Sequence, residues 1–154
     1  MENSRNNLGN YQVKEVTVSN IRSIKFFYNQ FLGRNNGYAL DESFGLPFTS
    51  LEKDGHCFGF ASLIVDDKSN ISYQIILAKE IDLGLKQYFE NISKIKYDRS
   101  QSNLFKDAKH LESGIKRTVN WLNLNSTANI NTSTYSIKQK KQYGEQGGIV
   151  LKGS

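Results

Sequence analysis

Apolar positions alternate with polar ones in some stretches of the chain and recur every three or four residues in others. The segment YQVKEVTV, from Tyr11 to Val18, alternates and is typical of a strand. The segment after it predicts a helix that ends near Gly33, because glycine adopts the left-handed conformation of a helix C-terminus at little cost. The apolar stripe of this helix consists of Ile21, Ile24, Phe27, Tyr28, Phe31 and Leu32.

A strongly β-forming region follows. Its first two segments, FTSLEK and HCFGFASLIV, are joined by Asp54-Gly55, a pair favoured in two-residue hairpin turns. The sequence DDKSN predicts a second turn and ISYQIILA a third strand, so we expect an antiparallel meander of three strands. Gly59, inside the middle strand, predicts a bulge or a close approach of another backbone segment.

Two more helices and three more strands are predicted in the second half. The first helix follows Asp82, a suitable capping residue, and the second begins at Ser102 or Asn103 and ends at Gly114. The apolar positions that indicate these helices are Leu85, Tyr88, Phe89 and Ile92 in the first, and Leu104, Phe105, Ala108 and Leu111 in the second. The segments KIKYD, IKRTVNWLNL and TSTYSIKQ are predicted as strands.

Composition narrows the classes of partner and compartment. The net charge is +5, but Lys and Arg are spread along the chain, which favours an anionic small molecule over nucleic acid. The only cysteine, Cys57, cannot form an internal disulfide and fits a reducing compartment. The N-terminal segment is polar, and no apolar stretch approaches the roughly 20 residues that span a bilayer. We therefore expect a cytoplasmic protein without a membrane partner.

The order of predicted elements, β-α-β-β-β-α-β-α-β-β, resembles the GNAT superfamily of N-acyltransferases from about Val13 to Lys138. The segment LPFTSLEKDGHCFGFASLIVDD is similar to the family's second and third strands, and SNLFKDAKHLESGIKR to its last helix. The resemblance implies an α/β (α+β layered) fold with a mixed, mostly antiparallel sheet of about six or seven strands and helices on both faces. It implies one domain over residues 11–138, with a flexible N-terminus at residues 1–10. Residues 139–154 are then an extension, either a last strand or a non-native remnant.

The same resemblance implies a function. Members of the family move an acetyl or other acyl group from acyl-coenzyme A to an amine by direct attack, here on a small molecule or a sugar nucleotide. Their pyrophosphate loop, Gln/Arg-x-x-Gly-x-Gly/Ala, uses the free N–H groups of a helix N-terminus. Its best match is Lys79 to Gly84, with Asp82 in place of the first glycine. A carboxylate there opposes phosphate binding, so a capped helix start and a non-catalytic ligand- or protein-binding module are the alternatives.

The resemblance also assigns residues. The main chain of three fourth-strand residues is expected to pair with pantetheine, and the loop, the helix start and Asn103 with the rest of the cofactor. The residues are Ile75, Ile76, Leu77, Lys79, Asp82, Leu83, Gly84, Leu85, Lys86 and Asn103. His110, four residues before Gly114, stands where the family has a tyrosine acid, although an exposed helix histidine is the alternative.

The base is expected among Glu52, Asp66 and Tyr73 on the meander, with Glu52 and Tyr73 preferred. Cys57 is expected to be a small buried apolar residue, because adjacent strand residues such as His56 and Cys57 point to opposite faces. One cysteine and two histidines cannot form a structural zinc site, so no metal is expected. A homodimer is left open.

Overall fold

The computed structural model describes residues 9–100, 107–126 and 149–153, which form one antiparallel sheet and three α-helices. The strands are β1 (Tyr11–Glu15), β2 (Leu46–Lys53), β3 (His56–Val65), β4 (Ile71–Leu77) and β5 (Ile149–Gly153). The helices are α1 (Ile21–Phe31), α2 (Leu83–Ser100) and α3 (Ala108–Ser126), with a short 3₁₀ helix at Glu42–Phe44. None of the helices described is both long and apolar enough to cross a membrane.

The strands of the sheet lie side by side in the order in which they occur in the chain, and each is antiparallel to its neighbours. The predicted meander is confirmed as β2, β3 and β4. Its first turn takes the conformation that Asp54-Gly55 favours, with φ of 53° and 80° at the two residues. Short turns therefore connect the consecutive strands at the centre of the sheet.

Gly59 confirms the predicted close approach. A Cβ atom at this position would lie 2.3 Å from Leu77 Cδ2 and 3.0 Å from the carbonyl oxygen of Ile76 on the neighbouring strand. The register of β2 against β3 also shifts here, between Leu51 and Glu52. A residue without a side chain is needed where the bulged strand β3 presses on β4.

Helix α1 ends as predicted. Gly33 has φ of 74°, and its N–H donates to the carbonyl oxygen of Gln30 at 3.0 Å. The buried apolar residues of α1 belong to the first of two core clusters, which also includes Phe60 of β3 and the buried stripe of α3. That stripe consists of Leu111, Ile115, Val119 and Leu122.

The second core cluster lies under the first half of α2. Ile75 and Leu77 belong to it, whereas Ile76 between them belongs to the first cluster, so β4 supplies side chains to both faces of the sheet. Leu85 and Phe89 of α2 are buried in this second cluster. This alternation fixes which strand residues can face each helix.

The predicted GNAT-like fold, a mixed sheet of about six or seven strands with helices on both faces, is wrong. The described residues form an α+β fold with a single antiparallel sheet, and two of the expected late strands are helical. KIKYD lies in α2, where Phe89, Ser93 and Tyr97 are buried at helical spacing. IKRTVNWLNL lies in α3, which continues through Gly114 instead of ending there. TSTYSIKQ lies outside the described residues.

The physical reason is tertiary burial. Both segments are rich in β-branched and aromatic residues, which favour strands, but their apolar positions recur every three or four residues. A helix buries such a stripe on one side, whereas a strand would divide it between two faces. The period of burial therefore overrides the local preference.

Candidate binding cleft

The predicted phosphate loop is a capped helix start. Strand β4 ends at Leu77, a turn follows, and α2 begins at Leu83, directly after Asp82. Asp82 Oδ1 accepts a hydrogen bond of 2.8 Å from the backbone N–H of Leu85, and the carbonyl of Asp82 accepts from Lys86 N at 2.9 Å. The capping role predicted for Asp82 is confirmed.

This geometry differs from a phosphate cradle in two respects. The Asp82 carboxylate occupies an N–H group that a bound phosphate would use and places a negative charge at the same point. A Cβ atom on Gly84 would lie 3.7 Å from its nearest neighbour, Asp82 Oδ1, so no protein atom requires a glycine at this position. Lys86 Nζ lies 4.0 Å from Glu90 Oε2 in an ion pair along the helix.

The main chain expected to hold pantetheine is already paired. Ile75, Ile76 and Leu77 are in register with β3 on one side. On the other side they pair with Leu151, Val150 and Ile149 of β5. In the GNAT-like interpretation this second edge receives the cofactor, and here β5 takes its place.

Glu52, one of the predicted bases, is held in a polar network at the end of β2. It is 5% exposed, and its Oε2 accepts hydrogen bonds from Asn20 Nδ2 at 2.9 Å and from Ser50 Oγ at 3.0 Å. Lys14 Nζ lies 3.8 Å from the other carboxylate oxygen, Oε1. The network ties the start of α1 to β1 and β2, which gives Glu52 a structural task.

Tyr73 lies at the other end of the meander. Glu52 is in register with Cys57, and Tyr73 with Leu63, six positions farther along β3. At about 3.3 Å per residue this separates the two predicted bases by about 20 Å along the strand. The Tyr73 ring packs against Tyr97 of α2, with 4.6 Å between ring centroids.

His110, the predicted acid, is in the first turn of α3, and its side chain is 75% exposed. Asp107 Oδ1 accepts from the His110 backbone N–H at 3.0 Å and lies 3.0 Å from His110 Nδ1. These hydrogen bonds hold the pKa of Asp107 below its ordinary value. They are the bonds of a capped helix start, and the exposure of the side chain fits the alternative for His110, an exposed helix histidine. Asn103 lies outside the described residues.

A cleft that the sequence did not predict lies on the first-cluster face of the sheet, between α1, the start of β3 and the turn after β4. Its volume is about 390 Å³, within the range typical of small-molecule sites. Five α1 residues form one wall, and the opposite wall combines β3 with that turn. The lining residues are Ser23, Phe26, Phe27, Gln30 and Phe31, then His56, Cys57 and Phe58, then Ala78, Lys79 and Glu80.

The clearest signal of this cleft is Phe26. It is 46% exposed, although it lies beside the apolar stripe of α1 and its neighbour Phe27 is buried in the core. It lines the cleft together with Phe27 and Phe31, and aromatic side chains commonly line small-molecule sites. The sequence carries a partial signal, because Phe26 lies outside the apolar stripe of α1, but only the packing of α1 on the sheet shows that it lines a cleft.

The thiol in the cleft wall is not a nucleophile. Cys57 is 8% exposed, and its Sγ donates to the carbonyl oxygen of Gly59 at 3.3 Å. Burial raises the pKa of Cys57 to about 12, and the nearby Glu52 carboxylate adds to the increase, whereas the bond to Gly59 opposes it. The thiol is therefore protonated near neutral pH, and the thiolate is the form that reacts.

The charges at the cleft mouth are unequally placed. Among the described residues Lys79 has no ion-pair partner, and it is exposed. Burial, and after it the negative charges of Glu80 and Asp82, raise the pKa of the Tyr11 hydroxyl. The Glu80 charge is thus felt at Tyr11, whose ring packs on Phe58 in the second cluster. Lys79 and Glu80 thus place one positive and one negative charge at the cleft.

The parts of the chain that the structure describes contain no group of three or more His, Cys, Asp or Glu residues arranged to hold a metal ion. Comparison of the chain with protein-family models, with curated proteins and with solved structures finds no match.

Proposed function

We propose that this protein is a non-catalytic module that binds a small molecule in the cleft between α1 and the adjoining ends of β3 and β4. The observation that carries the proposal is a cavity of about 390 Å³ with an aromatic wall on α1 and several polar lining groups. Sites for small molecules are mostly apolar and use a small number of polar groups to orient the ligand. Here Ser23, Gln30, His56 and Lys79 supply such groups.

The chemistry of the lining supports binding over catalysis. The thiol of Cys57 is protonated, and its hydrogen is used by Gly59. Of the predicted catalytic residues, Glu52 accepts hydrogen bonds from Asn20 and Ser50. Tyr73 lies about 20 Å from Glu52 along the strand direction. A general base has to reach its substrate within hydrogen-bond distance, directly or through one water.

Transfer of an acyl group from acetyl-coenzyme A or another acyl-coenzyme A to a small-molecule amine is the alternative proposal. Lys79 favours it, because a cation beside the start of a helix can attract a phosphate. Two features count against it: Asp82 caps that helix, and β5 pairs with the strand edge that pantetheine needs.

Mapping by nuclear magnetic resonance tests the proposal. A library of small aromatic and aliphatic compounds would be titrated into the full ¹⁵N-labelled chain. We expect several compounds to shift the amide signals of residues 23–31, 56–58 and 78–80. The Phe26→Ala variant should weaken these ligands several-fold. Leu83→Ala, which removes an exposed apolar side chain outside the cleft, is the matched control.

The alternative is tested with the same sample. The transferase would be favoured if acetyl-coenzyme A shifted the amide signals of residues 79–86 and an added amine then became acetylated. The Asp82→Gly variant removes the capping carboxylate and should still not bind acetyl-coenzyme A, because β5 stays paired. The binding proposal fails if every bound compound maps outside the cleft, or if none binds.

A further inference from the structure

The cleft has an apolar wall and a polar mouth with different chemistry. The rings of Phe27 and Phe31 lie 6.1 Å apart along α1, and Phe26 on the same helix is half exposed. Aromatic rings prefer offset or edge-to-face contacts with other rings at such distances. A ligand with a flat aromatic body can make these contacts along the α1 wall, whereas a strongly polar body such as a sugar would leave its hydroxyl groups unpaired against it.

The mouth favours a negative group. Lys79 lines it without an ion-pair partner among the described residues. His56 is an exposed lining residue whose ring nitrogen can donate a second hydrogen bond. Ser23 and Gln30 add a hydroxyl and an amide on the opposite wall.

Glu80 is the one acidic lining residue, and its charge acts on Tyr11 on the second-cluster face. The carboxylate of Asp82 is used by the cap of α2. Lys79 and Glu80 are adjacent and both exposed, so the mouth carries one positive and one negative charge. Of the polar lining side chains, Lys79, His56, Ser23 and Gln30 can donate hydrogen bonds, whereas the Glu80 carboxylate can only accept them. This excess of donors is complementary to an anion.

We infer that the ligand of this cleft is an aryl carboxylate, with its ring on the Phe26 wall of α1 and its carboxylate at Lys79. This inference depends on the proposed function, since it names the ligand class for the same cleft. A carboxylate accepts hydrogen bonds from an ammonium group and an imidazole N–H at once, and charge-assisted bonds are stronger than neutral ones.

The test compares 2-naphthoate with 2-naphthamide, which has nearly the same shape and no charge. Both would be titrated into the full chain and followed by naphthalene fluorescence and calorimetry. We expect naphthoate to bind about tenfold more tightly, the effect of one partly exposed charge-assisted hydrogen bond. Lys79→Met should remove this preference by weakening naphthoate binding to about the level of naphthamide. Lys116→Met, which removes an exposed lysine of α3, is the matched control.

The outcomes separate the two proposals. Equal binding of both compounds, mapped to the cleft, keeps the binding function and overturns the carboxylate inference. Unchanged preference in Lys79→Met overturns it as well. If neither compound binds while other compounds occupy the cleft, the ligand is not an aryl carboxylate. If no compound of any class occupies the cleft, the binding function itself fails.

Discussion

Asp82 Oδ1 accepts a hydrogen bond of 2.8 Å from the backbone N–H of Leu85, which closes the N-terminus of α2 with a carboxylate. The first turn of a helix leaves donors without partners, and a side chain at this position satisfies one of them. The same carboxylate fills the point at which a phosphate would bind. One hydrogen bond therefore stabilises the start of α2 and at the same time opposes phosphate binding there.

Removal of this cap should destabilise the protein. Asp82→Ala loses the acceptor, and we expect the free energy of unfolding to fall by about 0.5–2 kcal/mol. Asp82→Asn retains an acceptor oxygen and should lose much less. Urea unfolding followed by circular dichroism measures both changes. Asp67→Ala, at an exposed turn position, is the control. An Asp82→Ala variant as stable as the parent would show that the bond does not hold the helix.

Two glycines should respond to alanine in opposite directions. At Gly59 the new methyl group would meet Leu77 Cδ2 at 2.3 Å, so Gly59→Ala should lower the free energy of unfolding by about 1–3 kcal/mol through overpacking. At Gly84, in the first turn of α2, the nearest atom is 3.7 Å away. There alanine should stabilise the protein by about 0.5–1 kcal/mol, because it restricts the unfolded chain and favours the helix.

Thermal and urea unfolding of the two variants test this pair together. The opposite signs are the decisive feature, since each substitution adds the same methyl group. A Gly59→Ala variant as stable as the parent would contradict the close approach of β3 to β4, and destabilisation by Gly84→Ala would contradict the open space at that position.

The parts of the fold that local chemistry dictates were predictable from the sequence. The hairpin at Asp54-Gly55, the end of α1 at Gly33 and the cap at Asp82 each depend on a residue type that suits one backbone conformation. The alternation in the meander was equally clear. These signals reach only a few residues along the chain, and the elements that they predict are confirmed.

The rest depends on contacts between distant segments. Nothing near Ile149–Gly153 in the chain shows that this segment pairs with β4, and that pairing closes the edge expected for a cofactor. The cleft arises only when α1 packs on the sheet beside the ends of β3 and β4. Ile115 and Val119 favour strands in isolation, but the stripe that they form with Leu111 and Leu122 packs as a helix.

The protein should be more stable with an apolar residue in place of Lys25. It is 3% exposed on α1, and its Nζ has no hydrogen-bond partner among the described residues. A buried polar group without a partner costs about 1–3 kcal/mol. Lys25→Met keeps an unbranched side chain and removes the amine, so it should raise the free energy of unfolding by about that amount at pH 7. Lys109→Met, on the exposed side of α3, is the control and should change little.

The advantage of Lys25→Met should depend on pH. Burial lowers the pKa of Lys25 in the folded state, so the unfolded chain binds the proton more tightly and stability rises with pH up to the ordinary lysine value of 10.5. The difference between variant and parent should therefore shrink as pH increases from 7 toward 10.5. If the gain in unfolding free energy stayed constant over this range, the charge of the Lys25 amine would not be what destabilises the folded parent protein.

Cys57 should make the protein sensitive to alkaline pH. Its pKa is raised from 9.0 to about 12 in the folded state, so the unfolded chain loses the thiol proton first as pH rises. The stabilisation is complete below pH 9 and is lost progressively between pH 9 and pH 12. At pH 10 the loss amounts to about 1 kcal/mol. Cys57→Ala, which has no thiol, should lose less stability than the parent between pH 8 and pH 10.

The same burial predicts slow alkylation. Only the thiolate reacts with iodoacetamide, and a pKa of about 12 leaves very little thiolate at pH 8. We expect Cys57 to be labelled orders of magnitude more slowly in the native protein than in 8 M urea, as followed by mass spectrometry. Rapid labelling of the native chain at pH 8 would show that the cleft wall opens or that the thiol is activated. In that case the cleft would hold a reactive thiol, which contradicts a binding module without a nucleophile.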